Sequence, residues 1–165
     1  MGGTLSATSY LRLGDDAANR QYRSLLYFNT ASLPDNATIT NVTLKILEAG
    51  VIRTNTDPFT THGYLLADIK KGFFGASALE IGDFQAAASA NSVGHFTAVS
   101  GLPGWFQLVL GAANYRYINL TGVTQFRLRF ATDDDNDKIA DYVSFYAGDA
   151  AAANRPLLIV EYTLP

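Results

Sequence analysis

Hydrophobic and polar residues alternate along most of this chain with a period of two. In the segment 124–132, TQFRLRFAT, the apolar residues Phe126, Leu128 and Phe130 alternate with Gln125, Arg127 and Arg129. The segment 42–48, VTLKILE, alternates in the same way. Because successive side chains of a β-strand point to opposite faces, this pattern predicts strands with one buried face and one solvent-exposed face.

Nine segments have the pattern of short strands: 6–13, 23–29, 42–48, 63–70, 93–99, 105–110, 124–132, 141–147 and 157–163. Turn-forming residues separate these segments. A short helix is expected at 83–88 with Asp83 as its N-cap, and a helical turn at Ala112–Tyr117. Many short strands with few helical residues predict one all-β domain over residues 1–165. The expected architecture is a two-sheet antiparallel β-sandwich of the jelly-roll kind.

Composition restricts the function further. Of the 165 residues, 16% are charged and none is cysteine, which excludes a thiolate nucleophile, a zinc–thiolate site and disulfides. The net charge is −3, and the segment 133–141 has five acids and one lysine. The rest of the chain is therefore nearly neutral, and without a basic face nucleic acid is not expected as a partner. No apolar run approaches the roughly 20 residues that span a bilayer, so membrane insertion is not expected.

Aspartates occupy alternate positions in the segment 133–141, which we call the acidic segment. Asp133, Asp135, Asp137 and Asp141 stand at relative positions 1, 3, 5 and 9. This spacing is typical of loops that direct oxygen ligands at Ca²⁺, with the carbonyl of Ile139 at position 7 as a further ligand. The pattern predicts a structural Ca²⁺ site, and calcium-rich surroundings favour an extracellular or cell-surface location.

A solvated acidic turn is the alternative interpretation, because Asp and Asn form turns readily. Position 6 of such calcium loops is normally glycine, whereas here it is Lys138. A non-glycine residue in a left-handed conformation costs roughly 1–2 kcal/mol.

Catalysis is not expected. His62 lies in a sequence typical of a polar loop and His95 in a predicted strand, and neither has a nucleophile pattern nearby. The chain also lacks a Gly-x-Ser-x-Gly elbow and a His-Glu-x-x-His helix. We therefore predict a protein that is not an enzyme.

Exposed aromatic residues are candidates for ligand binding, since sugar rings stack on flat side chains. The best candidates are Tyr115, Arg116 and Tyr117 in NYRYIN, and Trp105 beside the GLPG turn. The alternative is that these rings belong to the core, because most aromatic residues in a sandwich of this size serve packing.

Several stretches in order resemble one family: YLRLGDD (10–16), 22–46, LEIGDFQAAAS (79–89), 117–149 and NRPLLIVEY (154–162). Together they resemble the DNRLRE-type group of jelly-roll modules, which is related to carbohydrate-binding modules of bacterial and archaeal surface or secreted proteins. The resemblance implies a non-catalytic extracellular module that binds polysaccharide or serves as an adhesive or architectural unit.

Two functions follow as hypotheses. The first is a calcium-stabilised structural or adhesive unit whose partners are neighbouring protein subunits, as a homo-oligomer or filament. Its edge strands, or a terminal segment such as SATSYLRL (6–13), would complete the sheet of a neighbour. The alternative is a carbohydrate-binding module that recognises a polysaccharide.

Overall fold

The fold was obtained as a computed structural model. It describes residues 9–53 and 56–165, and for residues 50–53 it describes the backbone alone. The strands are β1 (Tyr10–Asp15), β2 (Gln21–Tyr22), β3 (Ser24–Asn29), β4 (Thr38–Arg53), β5 (Leu65–Lys71), β6 (Thr97–Ala98), β7 (Trp105–Val109), β8 (Val123–Phe130), β9 (Tyr142–Tyr146) and β10 (Leu157–Thr163). The helices are α1 (Pro58–Thr61) and 3₁₀ turns at Ile81–Phe84, Ala112–Tyr117 and Ala152–Asn154.

The strands form two antiparallel sheets, which confirms the predicted all-β sandwich. The larger sheet has the order β2-β1-β9-β4-β7-β6, with β10 also paired to β4, and the smaller sheet has the order β3-β8-β5. The long strand β4 is paired along both edges. Its residues Thr43–Lys45 pair with β7 on one edge and with β10 on the other.

The core lies between the two sheets and is built from the alternating apolar residues. Val42, Leu44 and Ile46 of β4 are fully buried, as are Phe126 and Leu128 of β8. Each such side chain contributes about 1.5–3 kcal/mol relative to an exposed one. The predicted alternation is therefore confirmed for the core-facing side of both strands.

The prediction that β8 is only half-buried is wrong, because its second face is also covered. Gln125 and Arg127, which point away from the core, are 7% and 4% exposed. The covering segment is 72–96, which returns along the edge of β5. Its backbone is tied there by Val93 N donating to Ala67 O at 2.8 Å.

This covering segment also corrects two predicted elements. The predicted helix at 83–88 is replaced by the 3₁₀ turn Ile81–Phe84, whose N-cap is Glu80, and Asp83 instead accepts from Glu80 N at 2.9 Å. The carbonyl of Ala86 accepts a hydrogen bond from the Arg127 side chain at 2.8 Å and so points at this side chain, which lies outside the predicted helix. Of the predicted strand 93–99, only β6 forms.

The remaining elements agree with expectation in most places. The helical turn Ala112–Tyr117 is confirmed, whereas β2 and α1 form where no strand or helix was predicted. Residues 6–8 of the first predicted strand lie outside the described residues. In the described part of the chain, no helix has the length and apolar character needed to cross a membrane.

Candidate metal centre

The acidic segment connects β8 to β9 at one end of the sandwich, and both of its ends are fixed. Thr132 N, just before it, donates to the carbonyl of His62 at 3.1 Å. At its far end, the carbonyl of Asp141 accepts from Asp15 N at 2.9 Å. The loop is therefore held between the residue after α1 and the last residue of β1.

Three carboxylates of the acidic segment converge. One oxygen each of Asp135, Asp137 and Asp141 lies within 4.8 Å of the other two. Ca²⁺ holds oxygen ligands at 2.3–2.6 Å, so ligands on opposite sides of one ion are about 5 Å apart. The three oxygens are therefore spaced as ligands of a single cation.

Asp141 is the residue of this cluster whose negative charge is least compensated. Its side chain is fully buried, and neither carboxylate oxygen has a hydrogen-bond partner among the described residues. Burial of an ionised carboxylate without compensation costs several kcal/mol. A cation between the three aspartates would supply the missing compensation.

Left-handed residues produce the curl of the loop. Asn136 and Lys138 have φ of 62° and 63°. The spacing predicts a sharp turn at Lys138, and the backbone makes that turn without glycine. Lys138 N donates to Oδ1 of Asn19 at 2.9 Å. This bond anchors the turn to the connection between β1 and β2 and offsets part of the left-handed strain.

The first predicted ligand, Asp133, does not join the cluster of three. Its Oδ1 accepts from Nε2 of Gln21 at 2.9 Å and lies 3.5 Å from Nη2 of Arg23. These contacts draw the carboxylate toward β2 and β3. Ile139 has an exposed side chain, and its N–H donates to Oδ1 of Asp137 at 2.6 Å. Its carbonyl as a ligand stays a prediction.

Two residues that sequence reasoning did not connect with the loop lie beside it. Asp15 is fully buried, and its Oδ1 accepts from Asp141 N at 3.3 Å. Burial raises the pKa of Asp15, and the charges of Asp135 and Asp141 raise it further, while the hydrogen bond from Asp141 N and the nearby His62 act in the opposite direction. The only sequence signal for Asp15 is an acid two residues beyond the predicted strand 6–13.

His62 is the second of these residues. It lies in the connection between α1 and β5, as the sequence predicts, but its side chain is not solvent-exposed. The imidazole is fully buried, with Nε2 3.5 Å from Oδ1 of Asp15. It is placed there because α1, capped by Asp57, ends with His62 N donating to the carbonyl of Pro58 at 2.8 Å.

The predicted aromatic platform is split by the fold. Tyr115 and Tyr117 are half-buried against the core, and the exposed Arg116 donates through Nη2 to the Tyr117 hydroxyl at 2.8 Å. Tyr115 and Arg116 line an open groove of about 480 Å³, together with polar residues from three other places in the chain. These polar residues are Asp35, Lys71, Asn119 and Thr121.

Trp105 is not part of this groove. It is half-buried at the start of β7, where it pairs with Leu47 of β4, whereas Ile39 at the other end of β4 lines the groove. Eight residues of strand separate these two points, roughly 26 Å along β4. The two predicted parts of the ligand site therefore do not combine.

Comparison with known proteins adds no relative to this picture. No family model matches the chain, and no curated protein matches it. The resemblance to DNRLRE-type modules therefore stays a prediction.

Proposed function

We propose that this protein is a non-catalytic extracellular β-sandwich module stabilised by one Ca²⁺ ion, and that it serves as a structural or adhesive unit. The observation that carries the calcium assignment is the convergence of Asp135 and Asp137 on the buried, unpartnered carboxylate of Asp141. The DNRLRE-type resemblance supports the same class of module.

The donor set favours Ca²⁺ over other common cations. All three ligands are carboxylates on one curled loop, with no cysteine in the chain. Structural zinc sites use sulfur and imidazole nitrogen in a closed tetrahedron. Magnesium requires near-ideal octahedral geometry and keeps several waters, whereas Ca²⁺ accepts irregular carboxylate loops.

The ion would stabilise the fold more than it would serve chemistry. A ligand that binds only the folded state, at a free concentration about 100 times its dissociation constant, adds roughly 2.7 kcal/mol to the free energy of unfolding. For a domain of this size that corresponds to a rise in melting temperature of roughly 5–10 °C.

The test compares thermal unfolding in millimolar Ca²⁺ and in EDTA. The wild-type protein should melt at the higher temperature in Ca²⁺, and Asp135→Asn or Asp137→Asn should reduce the difference. Asp133→Asn changes an acid of the same loop outside the cluster, so it should retain the calcium response. Identical wild-type melting curves in the two buffers would refute the assignment.

Strand β10 supports the structural or adhesive role. Among the described strands it pairs with β4 alone, so its second edge is available to another chain. Leu157 and Ile159 on its outward face are 43% and 40% exposed. Ile159 pairs with Thr43 of β4, which pairs on its other edge with Val109 of β7, and Val109 is 54% exposed. An edge strand with apolar outward residues is a template for strand addition.

We propose a second copy of this chain as the partner, in an oligomer or filament. Sedimentation of the wild type should show concentration-dependent association, and Ile159→Lys should weaken it. Leu102→Lys, at a similarly exposed turn position, is the control and should leave association intact. Strictly monomeric wild-type protein at all concentrations, with no filaments by electron microscopy, would rule out this role.

The groove beside Tyr115 supports the alternative, a carbohydrate-binding module. It combines an aromatic ring with a carboxylate, two cationic side chains and an amide, the groups that bind sugar faces and hydroxyls, and its volume is within the range of ligand sites. On a glycan array, Arg116→Ala should lose polysaccharide binding that Trp105→Ala retains. Wild-type signal no higher than background would dismiss this alternative.

A further inference from the structure

We propose that Asp15 is a fourth carboxylate ligand of the same cation, so that the ion joins β1 to the acidic segment. This inference rests on the proposed calcium function. It concerns a residue far from the loop in sequence, which the spacing of the aspartates in the loop does not indicate.

The backbone places Asp15 directly against Asp141. Asp15 N donates to the carbonyl of Asp141 at 2.9 Å, and Asp141 N donates back to Oδ1 of Asp15 at 3.3 Å. Gly14, with φ of +121°, permits this approach, since a Cβ there would overlap the carbonyl oxygen of Asp141. The two buried carboxyl groups are therefore neighbours across the strand end.

One oxygen of Asp15 remains for a cation. Oδ1 receives the Asp141 amide and faces Nε2 of His62 at 3.5 Å. Oδ2 is buried and has no hydrogen-bond partner in the described parts of the chain. A carboxylate with one oxygen oriented by a backbone N–H and the other buried and unsatisfied has the arrangement of a metal ligand with its outer-shell support.

The negative charges around Asp15 also favour a bound cation. Its carboxyl interacts with the like charges of Asp135 and Asp141, so that without a cation these groups repel one another in a partly buried site. A buried ion pair between Asp15 and His62 is the competing explanation, but it uses Oδ1 and leaves Oδ2 unsatisfied. Asp15 lies outside the group of three whose oxygens are all within 4.8 Å of one another, so a shared cation would draw its unpartnered Oδ2 toward the oxygens of Asp141.

The ligand role predicts opposite effects of one substitution on the two states of the protein. Asp15→Asn keeps the shape of the side chain and an acceptor for the Asp141 amide, but it removes one negative charge. The calcium-free protein should therefore melt at the same temperature as wild type or higher. The dissociation constant for Ca²⁺, measured by calorimetric titration with CaCl₂, should rise roughly ten-fold or more.

The control is Asp16→Asn at the next position. Asp16 accepts from the Ala18 and Arg20 backbone amides and pairs with the Arg20 side chain in the turn after β1, so its loss should leave calcium affinity unchanged. A purely structural Asp15 would give an Asp15→Asn protein that melts at a lower temperature in EDTA and binds Ca²⁺ as tightly as wild type.

The outcomes separate this inference from the proposed function. If wild-type protein binds no Ca²⁺, the proposed function fails. If wild type binds Ca²⁺ and Asp15→Asn binds it with equal affinity, only the Asp15 assignment is overturned. Should the variant not fold, ¹³C NMR of the wild-type Asp side chains decides. The Cγ resonance of Asp15 should move with that of Asp141 during a CaCl₂ titration, and an unmoved Asp15 resonance would overturn the inference.

Discussion

Replacing Arg127 by methionine should strongly destabilise the fold, because this buried arginine attaches the covering segment 72–96 to the sandwich. Its Nε and Nη2 donate to Oδ2 of Asp68 at 3.1 and 2.8 Å. Its Nη1 donates to three backbone carbonyls of the covering segment at 2.8–3.3 Å. The guanidinium also lies 4.5 Å from the ring centre of Phe74. Methionine has similar length but no donors.

The size of the loss follows from the partners that remain. Removing one member of a buried ion pair costs about 3–5 kcal/mol. Asp68 keeps hydrogen bonds from Arg129 and from Ser92 N, and the carbonyl of Phe84 keeps one from Arg23. The loss should therefore fall near the lower end, at about 3–4 kcal/mol, a large part of the 5–15 kcal/mol that stabilises a typical domain.

Urea unfolding of wild type and Arg127→Met at neutral pH measures this difference. Arg155→Met is the matched control, because Arg155 is exposed and, among the described residues, donates to the carbonyl of Ala150 alone. It should change the free energy of unfolding by less than about 0.5 kcal/mol. A loss below about 1 kcal/mol for Arg127→Met would refute the role assigned to this arginine.

Two further predictions concern the same framework. Burial raises the pKa of Asp68, but a backbone N–H and the guanidinium groups of Arg127 and Arg129 outweigh it and hold the pKa below its ordinary value. The ionised Asp68 therefore stabilises the fold above about pH 4, and this contribution is lost as the pH falls through the lowered pKa. In urea unfolding, the difference in free energy of unfolding between wild type and Asp68→Asn should become smaller toward acid pH. A difference that does not change with pH would contradict this. Gly14→Ala should lower the melting temperature clearly more than Gly72→Ala, since both have positive φ but only Gly14 lacks room for a Cβ; equal effects would show that the close approach is unimportant.

The strands were largely predictable because their signal is local. Alternation identifies core-facing residues such as Phe126 and Leu44 from neighbouring sequence alone. The burial of Arg127 on the opposite face was not predictable in this way, because it depends on a covering segment about forty residues earlier in the chain. A polar residue in an alternating strand is predicted to be exposed unless the covering segment is known.

In the candidate metal centre, likewise, local features were predictable from the sequence and long-range contacts were not. Spacing correctly grouped Asp135, Asp137 and Asp141, which lie on one short loop. It also included Asp133, because sequence spacing contains no information about Gln21 and Arg23, which hold that carboxylate elsewhere. Asp15 and His62 were missed for the converse reason. They reach the loop through β1 and α1, and only the assembled sandwich brings them there.

Equilibrium dialysis against Ca²⁺ tests the central claim most directly. Protein freed of metal should bind one Ca²⁺ per chain, and a moderate excess of Mg²⁺ should not displace it. Asp141→Asn should abolish this binding, because it removes the buried carboxylate on which the other two aspartates converge, whereas Asp149→Asn in the exposed turn after β9 should bind like wild type. Absence of bound Ca²⁺ in the wild type, or undiminished binding by Asp141→Asn, would contradict the account.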